Sequence, residues 1–241
     1  MVTAIERARA SLGQESVAAL MTATAASLSR VEEIIDQYVK LGFCGIFLRS
    51  LSPYGFAAKS LVSKYDAGAW IEFYRRALAH ILEINRRGTS FREEYTSVLM
   101  RKIASPEGTS YVDLQSPAGI GIGAVVYNYD GWLYGSDEGR MLAEMGDMSF
   151  RLGHLDRDSY EATMTSDTLI GALADTMLEG VPMCSDCAFL PYCGADPVRH
   201  KATQGDKAFS EFCAKQMGVL RHLLGLLDGN AFARETLLSW A

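Results

Sequence analysis

The chain has 241 residues, 49% of them hydrophobic, and a formal net charge of −6. That acidic balance, with no basic stripe anywhere, excludes an electrostatic nucleic-acid binder. No run of about 18 apolar residues occurs, and the first residues show no charged segment followed by an apolar stretch and a cleavage site, so neither a membrane span nor secretion is expected.

In chain order, helix and strand alternate through the first half. Residues 3–12 read as a helix with Gly13 as its stop. Residues 17–24 form an apolar, β-tolerant run suited to a buried strand. Ser29 with Glu32 three residues on has capping-box spacing, and the helix it opens runs to about Leu41, before Gly42. Residues 44–49 are short and apolar, as parallel strands buried on both faces are. A loop over 50–58, with Pro53 and Gly55, leads to a long helix over 67–87. Its apolar stripe is Trp70, Phe73, Tyr74, Ala77, Leu78, Ile81 and Leu82. This order implies right-handed crossovers and a parallel sheet, with too few strands for a closed barrel.

The second half changes character. A helix is expected over 91–104, then turns at 105–108 and 116–119. Residues 120–129 are rich in Gly and Val, residues 128–131 carry a turn signal, and 132–134 read as the returning strand of a hairpin. Helices are expected over 166–179 and 207–227. The second carries Cys213 and a side of Leu220, Leu223, Leu224 and Leu227.

Between those helices lies the most informative stretch, Cys184-Ser-Asp-Cys187-Ala-Phe-Leu-Pro-Tyr-Cys193. It reads C-x2-C-x5-C, and Cys213 follows. Short C-x2-C loops deliver two thiolates to one point, which suits an iron–sulfur cluster or structural zinc. Ordinary free thiols are the bland alternative. An odd number of cysteines, mostly clustered, fits a reducing cytoplasm better than a disulfide scaffold.

These residues carry a resemblance. The region 127–213 resembles a SPASM domain, the auxiliary iron–sulfur domain of many radical S-adenosylmethionine (SAM) enzymes. Leu48-Arg-Ser-Leu-Ser-Pro-Tyr-Gly55, Asp130-Gly-Trp-Leu-Tyr-Gly-Ser-Asp-Glu-Gly-Arg-Met-Leu142, Phe150-Arg-Leu-Gly153 and the cysteine loop are similar to the radical SAM maturases of the His-Xaa-Ser system, which modify peptides. The resemblance implies an α/β chain: a partial (β/α) barrel segment with parallel strands over 1–112, then a small SPASM-like domain over 113–241, built of a β-hairpin and helices. It covers only the back half of such an enzyme.

The departures are informative. A full SPASM pattern has seven cysteines and two clusters. Here Ser136 stands at the end of the G-x4-C element, and Pro197 stands at the x3-C step after Cys193. The resemblance therefore implies loss of the first auxiliary cluster and retention of one 4Fe–4S cluster on Cys184, Cys187, Cys193 and Cys213, with zinc as the alternative. The C-x3-C-x2-C motif that holds the SAM-cleaving cluster is absent from the sequence, and Cys44 cannot replace it. S-adenosylmethionine is expected only with the missing N-terminal half of the barrel.

Asp137, beside the Ser136 position, is a candidate proton acceptor by resemblance, against a turn or capping acid beside Arg140. Arg49 and Ser52 follow a strand, at the end of the sheet where α/β proteins bind ligands, and the resemblance puts them on the SAM side. For Arg49 a structural ion pair is the competing role. Cys44 reads as a small buried apolar residue. His200 is the histidine nearest the cysteine loop, and the one to watch with zinc.

Three functions are therefore weighed: part of a radical SAM peptide maturase, a non-catalytic peptide-binding module of a split or degenerate maturase, and a zinc-stabilised structural domain. The expected partners are a peptide substrate and the missing barrel half or a partner subunit. The open sheet is expected to be met by a homodimer, or by packing of the chain's own first helix.

Overall fold

The computed structural model describes residues 2–52, 54, 65–105, 109, 111–203 and 210–241. Most of the 50–58 loop, the turn expected at 105–108 and the start of the helix expected from Lys207 lie outside them. The chain forms two compact units. The first gathers Met1–Leu51, Val62–Pro106 and Arg221–Ala241; the second gathers Ser52–Leu61 and Glu107–Leu220. Among the described residues, no helix is long and apolar enough to cross a membrane.

In chain order, the first unit carries α1 (Val2–Leu12), β1 (Leu20–Thr22), α2 (Val31–Lys40), β2 (Gly45–Arg49), α3 (Ala67–Arg86), β3 (Arg92–Glu93) and α4 (Glu94–Ala104). The strands make one parallel sheet in the order β1-β2-β3, with Leu20 opposite Phe47 and Gly45 opposite Arg92. The strand expected over 17–24 shrinks to three residues. The helix expected from residue 91 begins at Glu94, because Arg92 and Glu93 pair with β2 first. A Cβ on Gly45 would lie 2.9 Å from the Arg92 carbonyl oxygen, so glycine is what lets β3 approach.

Helix α3 buries the whole stripe from Trp70 to Leu82 that its sequence marks. Each large apolar side chain so buried contributes about 1.5–3 kcal/mol. Asp66 caps the helix by accepting the Ala69 N–H at 2.7 Å. Arg76 on α3 forms a bidentate pair with Glu32 on α2 and donates to the Leu28 carbonyl.

The sheet is closed off by a buried carboxylate. Glu93 is fully buried and accepts from the Leu48 N–H (3.0 Å), the Tyr95 N–H (3.2 Å), and the Thr96 N–H and hydroxyl (2.6 Å each). Its side chain thus extends the β2–β3 ladder by one rung and caps α4. The buried Tyr74 hydroxyl reaches Thr96 Oγ1 at 2.5 Å. Burial raises the Glu93 pKa, and its four donors act against that rise.

Helix α1 buries no residue. It is held by Arg9, which lies 4.3 Å over the Phe43 ring and donates to the Leu41 carbonyl. Arg9, Val17, Phe43, Cys44 and Arg92 line one small space, so α1 sits against the N-terminal ends of the strands. Leu20 in β1 is 56% exposed. Cys44 is exposed rather than buried, since β2 begins one residue later, at Gly45.

The second unit carries an antiparallel sheet of β4 (Val126–Tyr127), β5 (Trp132–Tyr134) and β6 (Arg151–His154), in that order. The expected hairpin turns at Gly131, whose φ of 86° suits glycine. Around it lie α5 (Asp137–Glu144), α6 (Tyr160–Met164), α7 (Asp167–Asp175), α8 (Pro197–Thr203) and the first part of α9 (Glu211–Gly229). The rest of α9 and α10 (Ala231–Leu238) belong to the first unit. The sheet packs on α7 through Leu133, Leu152, Leu169 and Ala172. The helix expected to reach residue 179 stops at Asp175. The Thr176 hydroxyl donates to carbonyls of its own helix and accepts the Ala118 N–H at 2.9 Å.

Candidate metal centre

The cysteine loop is a string of three-residue turns. The Cys187 N–H bonds the Cys184 carbonyl (3.0 Å), the Leu190 N–H bonds the Cys187 carbonyl (3.0 Å), and the Cys193 N–H bonds the Leu190 carbonyl (3.2 Å). Residues three apart in such turns eclipse one another. The x2 spacing is therefore one such turn and the x5 spacing two, and Cys184, Cys187 and Cys193 line one cavity.

Two backbone features frame the loop. Met183, just before Cys184, takes a φ of 67°, a left-handed conformation uncommon outside glycine. Just after Cys193, a Cβ on Gly194 would collide with the Asp113 carbonyl oxygen, so only glycine lets the loop close against that backbone. The chain then reaches Asp196, buried, whose carboxylate accepts the Val198 N–H (2.9 Å) at the start of α8 and the Tyr54 hydroxyl (3.2 Å).

The fourth cysteine comes from α9. The Cys213 N–H donates to Ser210 Oγ at 3.1 Å. Cys213, Gln216, Met217 and Leu220 recur at helical spacing and face one cavity of about 210 Å³. Cys184, Cys187 and Cys193 line the same cavity, with Phe189, Leu190 and Phe212 among its apolar walls.

All four thiols are half-buried, and none of the five cysteines is in a disulfide. The Cys193 thiol is pushed up to about 11, first by burial and then by the other three cysteines, against a contact with the Gly194 backbone that lowers it. A largely apolar cavity lined by four thiols is poor for bare thiolates and good for a group that brings positive charge. Among the described residues, no three His, Cys, Asp or Glu side chains group tightly enough to hold a single metal ion. The four cysteines line one shared cavity. Around one zinc ion, sulfurs at 2.3 Å would stand about 3.8 Å apart, whereas a cluster gives each thiolate its own iron. Four thiols on one cavity are a donor set that suits an iron–sulfur cluster or zinc.

The other candidates lie elsewhere. Arg49 ends β2, exposed, and its carbonyl accepts the Ala23 N–H at 2.8 Å. Ser52 keeps its hydroxyl out of solvent. Asp137 opens α5, exposed, 2.8 Å from Arg140. Its neighbour Ser136 is that helix's N-cap, accepting the Gly139 N–H at 3.2 Å. None of these side chains lines the cysteine cavity. Two buried polar residues that do are His200, edge-on to Phe212 with ring centres 5.9 Å apart, and Gln216. The sequence pointed to His200 by proximity and gave no signal for Gln216.

No family model matches the chain, and no curated protein sequence matches it. Solved structures do. It is similar to native anSMEcpe with bound AdoMet and Cp18Cys peptide (TM-score 0.67, 14% identity), over 97% of this chain and 60% of that one. It is likewise similar to histidine-tagged anSMEcpe with bound AdoMet (TM-score 0.65, 13% identity), over 92% and 57%. A third is native anSMEcpe with bound AdoMet and Kp18Cys peptide (TM-score 0.61, 14% identity), over 91% and 56%. That protein is an anaerobic sulfatase-maturating radical SAM enzyme. At these identities the likeness is one of fold. This chain spans little more than half the length of the structures it matches, and its fold is that of a segment of them.

Proposed function

We propose that this chain is the auxiliary-cluster portion of a radical SAM maturase of ribosomally made peptides, related to the His-Xaa-Ser system enzymes and working in a reducing cytoplasm. The observation that carries the reading is the convergence of Cys184, Cys187, Cys193 and Cys213 on one apolar cavity. The fold of an AdoMet-binding maturase supports it. On this reading the four cysteines hold one 4Fe–4S cluster, and the second unit is the SPASM-like domain.

Bound there, such a cluster supplies one-electron redox chemistry. The chain's own residues do the rest. The turns position the cysteines of the loop, Gly194 lets it close against the Asp113 backbone, and Phe189, Leu190 and Phe212 give the cavity apolar walls. Ser136 caps a helix where a second cluster would need a cysteine, and Pro197 opens α8 where it would need another.

Cleavage of S-adenosylmethionine requires a C-x3-C-x2-C segment beyond this sequence, in the same protein or a partner subunit. Arg49 and Ser52 are assigned to the SAM side of the completed barrel. A peptide is the assigned substrate, since the similar structures were solved with peptides. Asp137 is the assigned proton acceptor, and Arg140 must release it first. A homodimer across the β1 edge is the competing way to complete the sheet, and sedimentation with and without the partner segment separates the two.

The test is anaerobic reconstitution with iron and sulfide. About four irons and four sulfides per chain, with a 4Fe–4S signal in electron paramagnetic resonance, are expected. Retention of zinc to the exclusion of iron would replace this reading with the structural one. The loaded chain alone should form no 5′-deoxyadenosine from S-adenosylmethionine under reducing conditions.

A further inference from the structure

We propose that Gln216 is a hydrogen-bond donor to the sulfurs of the group held by the four cysteines, and that it sets the reduction potential of that group. The inference deepens the cluster reading and rests on it. Gln216 is 4% exposed and lines the cavity. It stands three residues after Cys213 on α9, on the helix face that also presents Met217 and Leu220. A carboxamide carries two N–H donors and no charge at any working pH. Cysteines apart, the cavity wall is apolar except for Gln216 and His200. The His200 ring shares that wall, edge-on to Phe212, while Gln216 is the polar residue on the helix that carries Cys213, three residues from it.

The physical consequence has a sign. Reduction adds negative charge to the cluster and its sulfurs. Donors directed at those sulfurs stabilise the reduced state more than the oxidised one and raise the potential. Methionine has similar length, good helix propensity and no donor, so Gln216→Met removes the N–H groups and keeps the packing.

Wild type and Gln216→Met are reconstituted as the full chain, their iron and sulfide are counted, and both are titrated with dithionite against mediator dyes. Equal iron is expected. At a poise that half-reduces the wild type, the reduced-to-oxidised ratio of the variant should fall about tenfold, the effect of one hydrogen bond to a charged group. The signal of the reduced cluster should shift with it. Equal iron with coincident titrations and spectra overturns the inference and leaves the cluster reading standing. A wild type that loads no iron overturns both. If Gln216→Met does not fold by circular dichroism, Gln216→Asn retracts the donors by one methylene. A smaller fall in the ratio then supports the proposal, and an unchanged one overturns it.

Discussion

Each unit gathers a cluster of polar groups, and the two clusters are finished differently. In the first, Glu93 brings one carboxylate to four donors, and the Tyr74 and Thr96 hydroxyls extend the chain of bonds. Every partner is supplied by the polypeptide. In the second, four thiols line one cavity, and burial first, then the other three cysteines, raise the Cys193 pKa. On the proposed reading, a bound cluster completes that site. Buried polarity that is self-satisfied reads as architecture, and thiols gathered on one cavity read as a candidate site.

The largest test of that contrast is at the cysteines. Replacing Cys184, Cys187, Cys193 or Cys213 by Ala should abolish iron retention and remove on the order of several kcal/mol from the loaded protein. Iron content and thermal unfolding read both. A variant that keeps full iron removes its residue from the ligand set.

Next comes Glu93. Glu93→Ala strands the Leu48 and Thr96 donors in the core and should cost about 3–5 kcal/mol in denaturant unfolding. Glu93→Gln should cost less, about 1–3 kcal/mol. Neither should change iron per folded chain, and a parallel loss of iron would break the comparison. The pH dependence follows from burial. A folded pKa raised above the ordinary value near 4.5 means that the native state holds the proton more tightly. The contribution of Glu93 is therefore largest below about 4.5 and declines as pH rises through the raised value. The margin of wild type over Glu93→Gln should widen as pH falls from neutral.

Ser136 gives a smaller effect. Ser136→Ala removes the N-cap of α5 and should cost about 1 kcal/mol with unchanged iron. Asp137 gives the smallest. Its pair with Arg140 is exposed, so Asp137→Asn should shift stability by less than about 0.5 kcal/mol. Turnover by the completed maturase should nevertheless fall sharply if the carboxylate accepts a substrate proton. Unchanged turnover would leave Asp137 a helix-start acid.

Legibility in the sequence followed periodicity. The α3 stripe was readable because every third or fourth residue from Trp70 to Leu82 is apolar, and all seven are buried. The cysteine spacings were readable because steps of three and six are whole turns. Strand β3 was not, since it is two residues long, Arg92 and Glu93, and reads as the polar start of a helix. Strand β6 reads as a motif but not as a strand, for Gly153 interrupts it and Arg151 and His154 bound it. Gln216 is silent for the same reason as Glu93: one polar residue at a buried position has no pattern until its neighbours are known. Thr176 stopped α7 through a hydroxyl bonded across 58 residues to Ala118, which no local window contains.

The closure at Gly194 also gives a rule for searching genomes. With 13–14% identity to the structures that share this fold, overall similarity is a weak guide to relatives. A carbonyl oxygen that overlaps the place where a side chain would begin is a strong one. A sequence with C-x2-C-x5-C followed at once by anything but glycine must route its backbone differently past the segment equivalent to Asp113. A single letter added to the pattern thus sorts chains that can build this enclosure from chains that only share its cysteines. One solved structure with a larger residue at that step and an unaltered backbone would retire the rule.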